Sequence, residues 1–250
     1  MELLKIDNLH KIFKKNKVPA VDGTSFSIFK GEVLGLVGES GCGKSTLAKL
    51  ILRLIPADKG SIFYKDRDLL KADHNDMRKM RKNLQIIFQD PYASLDPRMK
   101  IGNVIEEVYG IHKNAPGCDR KNKAIELLET VGLGESYLNR LPSELSGGER
   151  QRVGIARALA TEPEFIICDE PVSSLDISIQ AQILNLLIDI QKRKSLTYLF
   201  ISHDLGVIAS ICDRVIVMQS GRFVETGFCE TIFKNPQHEY TKALLASALL

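Results

Sequence analysis

The sequence predicts an α/β fold with a mostly parallel sheet, an antiparallel β edge at the N-terminus and an α-helical subdomain inserted in the middle. Three observations predict it. Short apolar runs that read as buried strands alternate with helical patterns, as in a parallel sheet covered on both faces. The first 30 residues instead alternate apolar with polar side chains, as through Thr24-Ser25-Phe26-Ser27-Ile28-Phe29, which suits antiparallel strands. From about 91 to 160 the spacing of apolar residues is mainly helical.

Each element follows in order. Glu32-Val33-Leu34-Gly35-Leu36-Val37 reads as a buried strand, glycines follow, and residues 44–54 show helical spacing until Pro56 stops it. The middle offers helices over 101–109, 121–131 and 148–160, broken by Asn114-Ala115-Pro116-Gly117 and by Leu141-Pro142. Strands return at Phe165-Ile166-Ile167-Cys168, Tyr198-Leu199-Phe200-Ile201 and 214–218, with a helix over about 177–192. The expected division is an α/β core of 1–90 and 161–250 and a helical subdomain of 91–160. No internal repeat or low-complexity linker interrupts it.

Composition narrows the function. In 250 residues, 44% hydrophobic content supports a sizeable core. Against 31 acidic side chains, 34 basic ones leave a net +3, far from the concentrated positive charge of nucleic-acid binding, so no nucleic-acid partner is expected. The most basic stretch, 65–82, is interleaved with Asp66, Asp68, Asp73 and Asp76 and reads as solvated surface. Cys42, Cys118, Cys168, Cys212 and Cys229 are odd in number and lack a C-x-x-C pair. That argues against a disulfide framework or zinc site and suits a reducing cytosol. Met1-Glu2-Leu3-Leu4-Lys5 opens no apolar leader, and no run of about 18 apolar residues occurs, so a soluble chain is expected, with any membrane role carried by other proteins.

Gly38-Glu39-Ser40-Gly41-Cys42-Gly43-Lys44-Ser45, followed by Thr46, satisfies G-x-x-x-x-G-K-[ST] between a strand and a helix, which makes the fold a P-loop NTPase core. The glycines let successive N–H groups face phosphate oxygens, and the helix N-terminus adds roughly half a positive charge. Lys44 would reach the β- and γ-phosphates and the Ser45 hydroxyl would bind Mg2+. Asp169-Glu170 places two carboxylates at the C-terminal end of a buried strand, where open α/β sheets bind their ligands. There Asp169 would hold the magnesium and Glu170 would orient or deprotonate the attacking water. His203, after another strand, is placed to reach the γ-phosphate, whereas His10, His74, His112 and His238 have no such setting.

With Leu145-Ser146-Gly147-Gly148-Glu149, these residues in this order resemble the ATP-binding subunit of ABC transporters along essentially the whole chain. The resemblance implies a signature motif whose helix N-terminus faces the γ-phosphate of an ATP held mainly by another subunit. It also implies that Phe13 stacks on adenine, that Gln89 links magnesium and water to the helical lobe, and that Ser174-Leu175-Asp176 crosses between subunits. Gln89-Asp90-Pro91-Tyr92-Ala93-Ser94-Leu95-Asp96-Pro97-Arg98 is similar to the matching segment of oligopeptide, dipeptide and nickel importer ATPases. So is the ending Pro236-Gln237-His238-Glu239-Tyr240-Thr241-Lys242-Ala243-Leu244-Leu245. Asp96 stands where that subfamily commonly has Asn, Glu149 stands where most signatures have Gln, and the longer C-terminal extensions of some relatives are expected to be missing.

Taken together, the resemblance implies an ATPase using ATP and Mg2+ to energise uptake of peptides or nickel-type metal complexes. Lys44, Gln89, Glu170 and His203 would be catalytic. Phe13, residues 38–46, Gln89, Ser146, Gly147, Gly148, Glu149, Asp176 and His203 would contact nucleotide, and Ser45, Gln89 and Asp169 the metal. The partners implied are a second ATP-binding subunit, identical or related, two transmembrane permease subunits and, through them, an extracytoplasmic substrate-binding protein. The place implied is the cytoplasmic face of the membrane, as a peripheral subunit. An ABC system with another cargo and a non-hydrolysing regulatory half are the alternatives, the latter disfavoured by Glu170 and His203. A GTP-binding switch is disfavoured because Asn122-Lys123 continues Ala124-Ile125 rather than completing N-K-x-D. Ser146 to Glu149 also reads as an S-x-x-E capping box.

Overall fold

The computed structural model describes residues 1–13, 18–90, 92, 95–112 and 119–248. The anticipated break at 114–117, Cys118, and Pro91, Ala93 and Ser94 of the segment 89–98 lie outside the described residues. In chain order the first elements are β1 (Glu2–Lys11), β2 (Val21–Phe29), β3 (Val33–Val37), α1 (Lys44–Ile51), β4 (Lys59–Tyr64), β5 (Arg67–Asp68), α2 (His74–Met80) and β6 (Leu84–Ile87). Next come α3 (Ile101–His112), α4 (Arg120–Thr130), α5 (Gly147–Leu159), β7 (Phe165–Asp169) and α6 (Ile177–Lys194). The chain continues with β8 (Thr197–Ile201), α7 (Leu205–Ile211), β9 (Arg214–Gln219), β10 (Arg222–Phe228), α8 (Cys229–Lys234) and α9 (Glu239–Ala248). Residues Met1–Met77 with Ser195–Leu250 form one compact unit and Arg78–Lys194 another.

The first unit holds an antiparallel sheet in the order β2-β1-β4-β5. Register pairs such as Leu4↔Ile28 and Ile6↔Ile62 put buried apolar side chains on one face, the reason the sequence there alternates. These strands make a sheet of their own, which the expectation of an antiparallel edge did not foresee. Its third strand, Lys-Gly-Ser-Ile-Phe-Tyr, opens with a glycine and a serine that hide the β pattern. In the same unit β9, β3 and β8 pair in parallel, and β10 folds back antiparallel on β9. Every residue of β3 and β8 is buried, so their continuous apolar runs reflect burial on both faces. Ser220 and Gly221 both take positive φ, 47° and 83°, the twist of a tight two-residue hairpin turn.

In the second unit β6 and β7 pair in parallel, Leu84↔Phe165 through Ile87↔Cys168. The helices α3, α4, α5 and α6 lie where helical spacing was read, within a few residues at each end. The end of α4 has a chemical cause. Gly132, at φ 76°, donates to the Glu129 carbonyl while Leu133 N donates to Leu128 O, closing the helix with a left-handed residue that costs glycine little. The four described cysteines, Cys42, Cys168, Cys212 and Cys229, are buried free thiols. Among the described residues no helix is long and apolar enough to cross a membrane.

Candidate functional site

The glycine-rich loop expected to bind phosphate begins where β3 ends. Gly38 takes φ 153° and Gly43 φ 117°, and a Cβ built on either would stand 2.1 Å from a backbone oxygen, of Met218 and Ala20 respectively. Only glycine fits these two positions. Gly43 is also the N-cap residue of α1 and supplies no side-chain cap, so the first N–H groups of that helix stay available to an anion. Lys44 is 5% exposed, and its ammonium donates to the Gly38 carbonyl at 2.7 Å and the Glu39 carbonyl at 2.9 Å. The loop's own oxygens thereby satisfy a buried charge. Burial pushes the Cys42 thiol up, against the opposing pull of Lys44, so this side chain packs beneath the loop as a neutral thiol.

A cavity of about 560 Å³ opens beside the loop, walled by 39–42, 18–20, 219–221 and Tyr240. The β9–β10 turn is tied in on both sides: Gly221 N donates to Cys42 O, and Asp22 N donates to Gly221 O, each at 2.9 Å. Phe13 is exposed, with the Lys11 ammonium 5.7 Å from its ring centroid, and it does not line this cavity. His203 is exposed two residues beyond β8. Because β3 and β8 run parallel with Leu36 opposite Ile201, Gly38 and His203 leave the same end of their strands. Asp204, its neighbour, is spent on structure: its carboxylate accepts from Gly206 N and Val207 N and caps α7.

The second unit repeats that logic. Ile87 lies opposite Cys168 in parallel register, so Gln89 and the Asp169-Glu170 pair emerge together at the strand ends. Gln89 Nε2 donates to Glu170 Oε2 at 3.0 Å and to Ser173 Oγ at 3.3 Å, and Ser173 Oγ donates to the Glu170 carbonyl at 3.2 Å. Asp169 is buried. Glu170 has φ 48°, a left-handed conformation that costs a non-glycine residue about 1–3 kcal/mol and persists only where surroundings enforce it. Asp176 is exposed just before α6, its carbonyl accepting Gln180 N at 2.8 Å.

At the start of α5 the capping box is formed: Glu149 N donates to Ser146 Oγ at 3.3 Å, and Ser146 N donates to Glu149 Oε2 at 2.7 Å. The other carboxylate oxygen accepts the Tyr137 hydroxyl at 2.6 Å. That hydroxyl first, and the Ser146 backbone second, hold the Glu149 carboxyl below the usual carboxylate range. The two glycines have a packing cause besides any closeness to phosphate. A Cβ on Gly148 would meet Ile179 Cγ2 at 2.6 Å, and one on Gly147 would meet Leu175 Cδ2 at 3.2 Å.

Glu149→Gln is expected to be nearly neutral at pH 7, with ATPase activity within about twofold and stability within about 0.5 kcal/mol, as for most surface replacements. The amide oxygen still accepts Ser146 N, and the Tyr137 hydroxyl turns to accept the amide N–H. Because the folded-state pKa of Glu149 is lowered, any advantage of the carboxylate exists above its unfolded value and vanishes as pH falls through the folded one. Thermal unfolding of both proteins at pH 7 and about pH 3 checks this; a gap that widens in acid contradicts it.

The family described as ABC transporter matches residues 21–173. The chain belongs to the ABC transporter family, as an ATP-binding cassette. It is 50% identical to the oligopeptide transport ATP-binding protein OppF of Bacillus subtilis (strain 168), over 98% of this chain and 82% of that one. To the dipeptide transport ATP-binding protein DppF of Haemophilus influenzae it is 47% identical, over 94% and 72%. Among solved structures, a post-hydrolysis dimer of the ATP-binding cassette MJ0796 bound to ADP and Pi superposes with a TM-score of 0.81, at 28% identity, over 91% of this chain and 99% of that one. The ABC cassette is an ATPase, and the segment matching G-x-x-x-x-G-K-[ST] forms the glycine-dependent turn described above.

Sequence reasoning passed over three features of this cassette's site. Tyr137 meets Glu149 across a loop, and no periodicity marks it. The turn at 220–221 carries a Ser-Gly dipeptide between two apolar runs, a signal that could have found the hairpin though not its contact with Cys42. Tyr240 lies in a motif noted only for its likeness to the importers.

Proposed function

We propose that this ATPase energises import of di- or oligopeptides by closing and reopening against a second ATP-binding subunit. The observation that carries hydrolysis is the Gln89–Glu170 hydrogen bond, which holds a carboxylate at the end of a parallel strand in a backbone conformation that needs enforcement. In this reading Lys44 and residues 38–46 bind the phosphates, Phe13 stacks on adenine, Glu170 takes a proton from the attacking water and His203 meets the γ-phosphate. Ser146 to Glu149, with Asp176, contact the nucleotide of the partner subunit. The donors assigned to magnesium, the Ser45 hydroxyl, the Gln89 side-chain oxygen and the Asp169 carboxylate, are the hard oxygens that Mg2+ prefers. Those oxygens would hold the ion, and charge neutralisation at the phosphates is the chemistry it would supply. Gln89 suits this, since its hydrogen bonds to Glu170 and Ser173 both use Nε2 and not the oxygen.

Support for peptide over nickel-type cargo comes from the relatives, which at 47–50% identity are oligopeptide and dipeptide transport proteins. The partners are two permease subunits and an extracytoplasmic binding protein, with this chain peripheral on the cytoplasmic face and the segment 91–160 acting as the helical subdomain that meets the permeases. Purification of the tagged full chain from membranes tests the whole. Co-purification of permeases and a peptide-stimulated ATPase activity are expected. Recovery of the chain only as a soluble monomer, without membrane subunits, would overturn it.

A further inference from the structure

The segment 236–245 resembles that of the importers, yet nothing in the hydrolysis described above uses it. The structure ties it to the phosphate loop. Glu225 on β10 accepts Gln237 N at 2.8 Å and His238 N at 3.1 Å, and His238 Nδ1 accepts Tyr240 N at 3.1 Å. Those bonds fix the start of α9 and aim Tyr240, whose hydroxyl accepts Glu39 N at 3.1 Å from 201 residues away in sequence. Tyr240 also lies in the wall of the 560 Å³ cavity with residues 39–42.

Glu39 N and Gly38 O belong to one peptide group. Its N–H is held by Tyr240 and its carbonyl by the Lys44 ammonium, so a single peptide plane is clamped from both ends. Gly38, at φ 153°, has no side chain to set that plane, so the two bonds help to fix its orientation. Hydrogen bonds at opposite ends of a peptide also polarise each other, which strengthens the hold on Lys44.

We propose that Tyr240 is a positioning residue for ATP binding: the C-terminal segment holds the 38–39 peptide, and through it Lys44, in the orientation that receives phosphate. This rests on the ATPase reading of the P-loop. Tyr240→Phe removes one hydroxyl and keeps the ring. Loss of one hydrogen bond predicts an ATP Kd weaker by about three- to tenfold. In the assembled transporter KM for ATP rises by a similar factor while kcat at saturating ATP is unchanged. Glu225→Ala, which releases residues 237 and 238, weakens binding in the same direction, and adding it to Tyr240→Phe brings little further loss because both act through one contact.

A fluorescent ATP analogue titrated into the full-length wild-type and variant chains, with thermal unfolding of each, makes the test. Weakened binding by Tyr240→Phe at an unchanged Tm supports the proposal. Wild-type affinity in Tyr240→Phe, or a loss of affinity that only tracks a fall in Tm, overturns it. Absence of binding by the wild-type chain would instead overturn the ATPase reading itself, so the two failures are distinguishable.

Discussion

Glu170→Gln leaves ATP bound and lowers steady-state turnover by about 10²–10⁴-fold, the usual contribution of a positioned general base. The replacement is nearly isosteric, and its amide oxygen still accepts Gln89 Nε2, so the contact that now stands at 3.0 Å survives. The Ser173 hydroxyl still donates to the backbone carbonyl of residue 170, which helps hold the left-handed conformation at φ 48°. In the proposed role, what is lost is the basicity that would accept a proton from water. Nucleotide binding and closure of the ATPase pair therefore persist while release is blocked, and the variant accumulates as a closed, ATP-loaded dimer. Equilibrium ATP binding, ATPase rate of the assembled transporter and the dimer fraction by gel filtration measure the three parts. A rate equal to wild type would remove Glu170 from the role assigned to it.

Ser146→Arg is expected to abolish hydrolysis while the chain stays folded. Ser146 is exposed, it caps α5 from an extended backbone at φ −65° and ψ 166°, and its hydroxyl accepts Glu149 N. Loss of the cap alone costs on the order of 1 kcal/mol of helix stability. Ser146→Ala suffers that cost without adding bulk, and it is expected to keep most of its activity with a slightly lower Tm. Arginine adds a long cation at the helix N-terminus, whose partial positive charge disfavours it, in the path by which a partner subunit's ATP would approach. ATPase assays on the two variant complexes separate the effects. Equal losses would show that capping, and not approach of phosphate, is what the serine supplies.

Much of the fold was legible because burial writes itself into composition. β3, β7 and β8 are buried at every position and are apolar throughout except for Asp169 and Thr197 at their ends, so each is legible within a residue or two. The P-loop was legible because its glycines answer to backbone contacts that only glycine survives, at Gly38 and Gly43. Strands such as β4 and β10 were missed because they lie on half-exposed surfaces or begin at turn residues, where side chains carry little pattern. The resemblance places Gly147-Gly148 facing a nucleotide, whereas Ile179 on α6 also leaves little room for a side chain at Gly148. A helix passing overhead leaves no trace in a local window. For the same reason the hydroxyls of Tyr137 and Tyr240 were invisible: each serves a residue distant in sequence, 12 and 201 positions away.

That separation of 201 residues also sets a timetable. The phosphate loop is translated early, but β9, which pairs with β3 from Gly35↔Val215 to Val37↔Val217, comes far later, as do the Gly221 amide that meets Cys42 and the hydroxyl of Tyr240. At about 5–20 residues per second, the ribosome needs roughly ten seconds or more between the two. Contacts this distant also close slowly. During that interval a nascent chain carries residues 38–46 without the walls that shape them, so in the proposed reading a polypeptide arrested before residue 214 should have little hold on ATP. Completion of this cavity wall is thereby postponed until Tyr240 has been made.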